Sequence, residues 1–198
     1  LKKTKLFDDI IVSTDSLKIK RLVERNGFKV PFLRPKNISD DFTDTPTVIK
    51  HALKWYEKKI GNVDYILTVY PTAVFILIKD ILDAYEILKK NDCDIVMSSA
   101  EFPYPVQRAF YLNKENNIKL FQPKYKLYRS QDLQKSYHDA GQFYFSTKKA
   151  ILNGLSAFSN RGKLLLIPRN RVIDIDNIED FELAERLFKF YNLKKFHK

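Results

Sequence analysis

The chain has 198 residues, of which 44% are hydrophobic and 30% charged, and its formal net charge is +11. This length favours a single domain, and the hydrophobic content is high enough to form a core, which excludes an intrinsically disordered chain. No apolar run is long enough to span a membrane, and the single cysteine, Cys93, excludes an internal disulfide and a thiolate metal site. We therefore expect a soluble, cytoplasmic protein with no membrane partner.

The excess of basic residues has two interpretations. The stretch Lys124–Arg129 alternates basic and aromatic residues, as nucleic-acid-binding strips do. The lysines are nevertheless spread over the whole chain, which favours a solvated basic surface that attracts small anionic molecules. We expect no nucleic-acid partner.

The first half of the chain alternates predicted strands with predicted helices. Apolar runs predict strands at 7–13, 28–33, 65–70 and 94–98. Helices are predicted to begin at Ser16, at Thr45 as a cap before Pro46, and at about Lys79. This alternation is typical of an α/β fold with a mainly parallel sheet flanked by helices.

The pattern changes after Phe102. Two short runs, 108–112 and 118–121, predict a hairpin, and the polar, basic and aromatic stretch 124–135 has no clear period. Strands at 142–145 and 164–167 and an amphipathic helix at 180–190 complete the chain. We interpret the region between the two strand-rich parts as an arm.

Two carboxylates, Asp174 and Asp176, lie two residues apart on the apolar, strand-like run Val172–Asp176. Side chains at this spacing point to the same face of a strand, where their repulsion favours a cation such as Mg²⁺. The alternative is that one aspartate caps the following helix and the other lies on the surface. The position after a strand, where α/β sheets bind ligands, favours a metal site.

Other polar groups follow predicted strands. Arg34 precedes a threonine- and aspartate-rich loop, and Arg129–Asp132 offers donors for a carboxylate or a hydroxyl-rich ligand. The alternatives are that Arg34 pairs with a nearby aspartate and that Thr45 is only a helix cap. With three histidines, one cysteine and five glycines, the sequence offers no catalytic triad, no zinc-ligand cluster and no glycine-rich phosphate loop.

Together these motifs resemble the acylneuraminate (nonulosonic acid) cytidylyltransferases. The resemblance runs in order along nearly the whole chain, and its longest blocks favour the pseudaminic acid branch over the sialic acid branch. The matching stretches are Phe7–Asp15, Val30–Pro35, Val48–Ala52, Tyr70–Ala73, Glu101–Phe110, Arg129–Leu133, Tyr137–Tyr144 and Asp174–Asp176.

The resemblance implies a fold, a reaction and a partner. The fold is a Rossmann-like sheet of the nucleotide-diphospho-sugar transferase type, in a single domain that spans residues 1–198. The reaction joins CMP from CTP to a nine-carbon 2-keto sugar acid and releases pyrophosphate, with Mg²⁺, for bacterial surface glycans or flagellin glycosylation. The arm, residues 104–137, resembles an element through which family members form homodimers.

The resemblance also implies roles for residues. Asp174 and Asp176 correspond to catalytic metal ligands, with Asp176 the better candidate for direct contact. Arg34, Thr43 and Thr45 fall where the family binds the nucleotide. The residues implied for the sugar pocket are Tyr70, Gln107, Arg129, Gln131, His138, Asp139 and Tyr144.

The resemblance begins after the first strand and the Gly-Gly-Ser phosphate loop with which family members start. We therefore expect the sequence given to lack that strand and loop, which would remove backbone donors for the outer phosphates. A second hypothesis follows, in which the chain is a truncated non-catalytic remnant that dimerises and binds a sugar acid.

Overall fold

The computed structural model describes residues 1–90 and 92–191 and contains one four-stranded and one two-stranded sheet. The strands are β1 (Tyr65–Val69), β2 (Ile95–Glu101), β3 (Phe110–Leu112), β4 (Ile118–Leu120), β5 (Tyr137–Thr147) and β6 (Gly162–Leu166). The larger sheet has the order β1-β5-β2-β6, and β3 pairs with β4.

Three of the four strands in the larger sheet run in one direction. β5 is antiparallel to both β1 and β2, and β2 is parallel to β6, so β5 alone is reversed. The carboxyl ends of β1, β2 and β6 therefore lie at the same edge as the start of β5. The predicted α/β class, with a sheet of mostly co-directional strands flanked by helices, is confirmed.

The helices begin largely where the sequence predicts. They are α1 (Leu17–Arg25), α2 (Thr45–Lys59), α3 (Ile78–Lys90), α4 (Lys148–Asn153) and α5 (Ile178–Tyr191). The Ser16 hydroxyl accepts from the Ile19 N–H at 3.3 Å and caps α1, as expected. The cap of α2 is Asp44, which accepts from the Thr47 N–H at 3.0 Å, so the predicted Thr45 cap is wrong. Short 3-10 turns lie at Lys2–Thr4, Lys36–Ile38, Val106–Arg108, Pro123–Tyr125, Ser130–Asp132 and Arg169–Arg171.

The strands predicted at 7–13 and 28–33 are not regular strands. The two segments meet only at isolated parallel bridges, Ile11 with Lys29 and Thr14 with Leu33. A regular ladder needs consecutive paired residues, and these bridges are separated. The segments are nevertheless tied to each other, because the Arg34 N–H donates to the Thr14 carbonyl at 2.8 Å.

The main core lies between α3 and one face of the larger sheet. Ile81 and Ala84 of α3 pack with Val96 of β2 and with Phe143 and Phe145 of β5, all nearly inaccessible to solvent. A smaller cluster consists of Phe75 and, on α5, Ala184. Partly buried apolar side chains pack against it, namely Ile173, Ile175, Leu187 and Tyr191. In the part of the chain that the structure describes, no helix combines the length and apolar character needed to cross a membrane.

The predicted hairpin is present. β3 and β4 pair antiparallel with Tyr111 opposite Lys119, and the turn is closed by the Asn113 N–H donating to the Asn117 carbonyl at 3.0 Å. Asn116 has a φ of 63°, which asparagine tolerates better than most residues. The rest of 104–137 is built from short turns, and its two ends meet where Glu101 pairs with Tyr137.

Candidate active site

A β-bulge in β5 shapes the ligand-side edge of the sheet. The pairing of β2 with β5 shifts between Met97, opposite Tyr144, and Ser99, opposite Asp139. Gly141 lies inside this shift with a φ of +61°, a conformation that side chains disfavour. Its N–H donates to Oδ1 of Asp139 at 2.9 Å. The extra residues therefore turn Asp139 back onto its own strand.

Four predicted site residues meet beside this bulge, and we call Thr45, Tyr70, Asp139 and Tyr144 the polar cluster. The Tyr144 hydroxyl donates to Oδ2 of Asp139, and the Tyr70 and Tyr144 rings meet edge to face at 6.0 Å between centroids. The Tyr70 hydroxyl lies 3.1 Å from Oγ1 of Thr45. Because Asp44 caps α2, the Thr45 hydroxyl is available for this contact.

Burial raises the pKa of the Tyr144 phenol well above its usual range, and the hydrogen bond to the Asp139 carboxylate raises it further. The phenol therefore remains protonated at any physiological pH and acts as a donor. Asp139 accepts from this phenol and from the Gly141 N–H. Both of its oxygens are thus held by the protein itself.

The two acids lie on residues 171–177, which we call the acid segment. It is extended and follows β6, although it is not part of the sheet. Asp174 and Asp176 are exposed to solvent, whereas Ile173 and Ile175, which alternate with them, pack on the Phe75 cluster. A Cβ added at Gly141 would lie 3.4 Å from Oδ1 of Asp174, so this carboxylate rests against the bulge.

The acid pair offers carboxylate oxygens, the kind of ligand that Mg²⁺ prefers. Among the described residues, neither carboxylate forms an ion pair, and no group of three or more His, Cys, Asp or Glu residues comes together as a metal site. Mg²⁺ usually takes one or two carboxylates together with water and substrate phosphates. Two exposed, unpaired carboxylates therefore fit a metal that shares its coordination with a phosphate ligand.

Comparison with known proteins identifies the family. The cytidylyltransferase profile matches residues 1–196. This chain belongs to the cytidylyltransferase family. It is 41% identical over 185 residues to the pseudaminic acid cytidylyltransferase of Campylobacter jejuni, a match covering 93% of this chain and 79% of that protein. It is 29% identical over 187 residues to the CMP-N,N'-diacetyllegionaminic acid synthase of Legionella pneumophila, covering 92% and 78% of the two chains.

A solved structure supports the fold. The CMP:2-keto-3-deoxy-manno-octonic acid synthetase, complexed with CTP, superposes with a TM-score of 0.61 at 10% identity. The match covers 96% of this cytidylyltransferase and 86% of that chain. At such low identity the likeness concerns the fold alone, which is that of a nucleotide-sugar synthetase.

Three further residues of this cytidylyltransferase fix the acid segment. Arg171 and Asp80 are not among the predicted site residues, and Gln142 belongs to the predicted stretch Tyr137–Tyr144 without an assigned role. The Arg171 guanidinium donates to Oδ2 and Oδ1 of Asp80 at 2.6 and 3.0 Å. The Gln142 side-chain amide donates to the Arg171 carbonyl at 2.6 Å. The position of Arg171 directly before an apolar run was a signal, but its partner Asp80 is 91 residues away in the sequence.

The residues predicted to bind the nucleotide base and ribose lie in two places. Thr45 belongs to the polar cluster, whereas Arg34 and Thr43 lie in the loop before α2. Arg34 pairs with Asp15 at 3.5 Å and donates to Oγ of Ser39 at 3.0 Å. Arg34 thus pairs with an aspartate, as the alternative interpretation held, but this aspartate lies upstream and not in the loop that follows Arg34. Thr43 donates through its hydroxyl to Asp40 at 2.8 Å.

The remaining predicted sugar residues have local contacts. Arg129 pairs with Asp132 at 2.7 Å and is largely exposed, as is Gln131. Gln107 donates to the Gln134 carbonyl at 2.8 Å across the base of the arm. His138 is the second residue of β5 and packs on Phe102 at 4.8 Å between ring centroids. The arm residues Arg129 and Gln131 have no contact with the polar cluster within the described chain.

Proposed function

We propose that this chain transfers CMP from CTP to a nonulosonic acid of the pseudaminic type and releases pyrophosphate. The observation that carries the proposal is the position of the acid pair, which is exposed and unpaired among the described residues. Its Asp174 carboxylate lies against Gly141, whose N–H donates to Asp139 of the polar cluster. Membership of the cytidylyltransferase family and the 41% identity to a pseudaminic acid cytidylyltransferase support this reaction and this substrate.

In the proposed reaction, the anomeric hydroxyl of the sugar acid attacks the α-phosphorus of CTP. The new bond joins that oxygen to phosphorus, the bond to the β-phosphate oxygen breaks, and pyrophosphate leaves. Mg²⁺ held by Asp174 and Asp176 would neutralise the charge that builds on the phosphate oxygens. Arg34, Thr43 and Thr45 would bind the cytosine and ribose end of CTP.

The polar cluster would form the wall between nucleotide and sugar acid. Thr45 is predicted on the nucleotide side, and Tyr70, which contacts it, on the sugar side. Because Asp139 is already held by Tyr144 and Gly141, its orientation does not depend on a ligand. Such preorganisation lowers the entropy cost of aligning two substrates. Gln107, Arg129, Gln131 and His138 are proposed as further contacts to the sugar acid.

We also propose that the protein is a homodimer joined through the arm, and that it acts in the cytoplasm, where CTP is available. Large apolar side chains on the arm are exposed, among them Leu127 at 90%, Tyr104 at 80% and Phe121 at 64%. Exposed apolar side chains in such number are typical of interaction surfaces. Sedimentation should give a dimer mass, and Leu127→Ser combined with Phe121→Ser should shift it to the monomer.

The reaction is tested by pyrophosphate release with CTP and Mg²⁺, with pseudaminic acid, N-acetylneuraminic acid and 2-keto-3-deoxy-manno-octonic acid compared in parallel. We expect release with pseudaminic acid to exceed the others, and chelation of Mg²⁺ to stop it. Calorimetry with CTP and with each acid distinguishes this reaction from the second hypothesis, in which the chain is a non-catalytic remnant that binds a sugar acid. Binding of the acid without CTP binding or turnover would identify a non-catalytic protein and overturn the proposed reaction.

A further inference from the structure

The bulge of β5 contacts the acid segment from one side. An ideal Cβ at Gly141 would meet three atoms of the Asp174 carboxyl group, Oδ1 at 3.4 Å, Cγ at 3.6 Å and Oδ2 at 3.7 Å. All three of the nearest atoms belong to this one side chain. Because Gly141 has no side chain, the Asp174 carboxylate can lie close to the backbone of the bulge. The positive φ of Gly141 is a conformation that other residues disfavour.

The next residue in the bulge holds the start of the acid segment. Gln142 is 2% exposed, and its amide nitrogen donates to the Arg171 carbonyl at 2.6 Å. Its Oε1 is buried and has no hydrogen-bond partner among the described residues. Burying an amide with one unsatisfied end is unfavourable. Stability of the fold alone therefore does not explain a glutamine at this position. What the glutamine provides is the hydrogen bond to the acid segment.

The acid segment is also fixed at both of its ends. At the start, the Arg171 guanidinium binds Asp80 and donates to the Phe75 carbonyl at 3.2 Å. At the far end, the N–H groups of Asp176 and Asn177 donate to Oδ2 of Asp180 at 3.1 and 3.2 Å. These contacts fix both ends of the acid segment. Within the described chain its middle is not hydrogen-bonded to the sheet, so the distance between Asp174 and β5 depends on the contacts with the bulge.

From this geometry we infer that Gly141 and Gln142 are positioning residues for the metal-binding acid pair. Gly141 admits the Asp174 carboxylate against the bulge, and Gln142 draws the segment onto β5 through the Arg171 carbonyl. The inference rests on the proposed function, since it assigns these residues to the reaction through Asp174. Neither residue needs to touch a substrate.

The chain offers a matched control. Gly154 ends α4 with a φ of +63°, nearly that of Gly141, and an added Cβ there meets nothing within 4 Å. Gly141→Ala and Gly154→Ala therefore place alanine at nearly the same positive φ, and only the first brings a methyl group into contact with the Asp174 carboxyl group. A difference between the two variants isolates the contact with the carboxylate from the strain of a positive φ.

The test measures Mn²⁺ binding by electron paramagnetic resonance, in the presence of CTP and also without it, together with kcat and KM. We expect Gly141→Ala to weaken Mn²⁺ binding about tenfold or more and to lower kcat by a similar factor, with little change in KM for the sugar acid. Gly154→Ala should keep wild-type Mn²⁺ binding and kcat. Equal behaviour of the two variants, or no Mn²⁺ binding by the wild-type protein, would overturn the inference.

A second variant covers the case in which Gly141→Ala does not fold. Gln142→Met keeps the side-chain volume and the backbone conformation but removes the donor to Arg171. We expect weaker Mn²⁺ binding, again by about tenfold, in a protein whose circular dichroism is unchanged. Wild-type Mn²⁺ binding in Gln142→Met would remove Gln142 from the inference. A wild-type protein that binds Mn²⁺ without turnover would count against the proposed function while leaving this comparison intact.

Discussion

The bulge region and the arm both carry residues predicted to bind the sugar acid, yet the structure holds them in different ways. At the bulge, Tyr70 and Tyr144 contact groups on other elements, and Asp139 is bound at both oxygens. In the arm, Arg129 contacts Asp132 three residues away, and Gln131 is exposed. The first region is organised by contacts between different elements, whereas Arg129 of the arm is held by a contact within its own turn.

This difference indicates where each region obtains its order. Side chains fixed by distant parts of the chain are ready for a ligand, whereas exposed side chains on short turns lose conformational freedom when they bind. Substitutions at the bulge should therefore change stability and rate together. Substitutions in the arm should leave the free energy of unfolding unchanged and act on substrate binding.

The largest effect is expected at the acid pair. Asp176→Asn removes a proposed metal charge with little change of volume, and turnover should fall about 10³-fold or more, corresponding to about 4 kcal/mol on the barrier. Because the side chain is exposed and has no ion pair in the described chain, the free energy of unfolding should change by less than about 0.5 kcal/mol. Pyrophosphate release and urea denaturation measure the two quantities. Normal turnover would remove the metal assignment.

The next effect is expected at the anchor of the acid segment. Asp80→Asn leaves the Arg171 charge, whose side chain is 11% exposed, without its partner. We expect the free energy of unfolding to fall by about 3 kcal/mol, because an uncompensated buried charge is costly. Asp83→Asn on the same helix is the control, since its pair with Lys79 is exposed and contributes little. Equal losses in urea denaturation would show that the Arg171 pair is not a buried anchor.

A third variant sharpens the comparison with an ion pair at the opposite end of β2. Hydrogen bonding from the Arg161 guanidinium holds the pKa of the buried Asp94 carboxyl below its usual 3.8. Folding therefore gains stability from this group above about pH 3.8, and loses it as the pH falls further through the lowered pKa. Asp94→Asn should cost about 2 kcal/mol at pH 7 and reduce the loss below pH 3.8.

Urea unfolding at pH 7 and below pH 4 measures both effects of Asp94→Asn. Asp92→Asn is the control, because Asp92 contacts the same arginine at 2.8 Å while its side chain is 90% exposed. Neither variant lies near the acid pair, so kcat should remain at the wild-type value. A large loss of turnover in Asp94→Asn, with the protein folded, would contradict the separation of the two ends of the sheet.

A smaller effect is expected within the polar cluster. Tyr144→Phe removes the donor to Asp139 and should destabilise the fold by about 1 kcal/mol, because the carboxylate keeps only the Gly141 N–H. The rate with the sugar acid should fall at the same time. Tyr128→Phe in the arm is the matched control, since Tyr128 is half-exposed and should show neither change. Thermal unfolding and steady-state kinetics provide the measurements.

The smallest effect on stability is expected in the arm. Arg129→Ala removes an exposed pair and should change the free energy of unfolding by less than about 0.5 kcal/mol. KM for the sugar acid should rise while kcat changes less. Arg186→Ala, which removes a similarly exposed pair on α5, should change neither constant. If Arg129→Ala behaved like Arg186→Ala, the arm would have no part in substrate binding.

The local features of the fold were predictable from the sequence. Ser16 caps α1, the hairpin of the arm forms where short apolar runs flank a turn, and the exposed Asp174 and Asp176 alternate with partly buried isoleucines. Each of these features depends on residues within about one turn or one strand. α4 was missed because six residues between a threonine and a glycine give too short a period to detect.

The features that depend on distant partners were not predictable. The bulge at Gly141 follows from the pairing of β5 with β2, and the Asp80–Arg171 pair joins residues far apart in the sequence. The same limit explains why the strands predicted at 7–13 and 28–33 are not regular strands. Both segments are apolar, but they pair only through single bridges, and pairing depends on distant residues. Thr45 was predicted as the cap of α2, whereas the Asp44 side chain accepts from the Thr47 N–H and the Thr45 hydroxyl contacts the distant Tyr70.

The pairing of Glu101 with Tyr137 has a consequence for how this protein can diverge. Since these neighbours close the excursion between β2 and β5, everything from Phe102 to Ser136 is an insertion in one antiparallel connection. Doubling the length of a flexible connection costs only about 0.6 kcal/mol in closure entropy. Evolution can therefore lengthen, shorten or replace that insertion while the sheet stays the same.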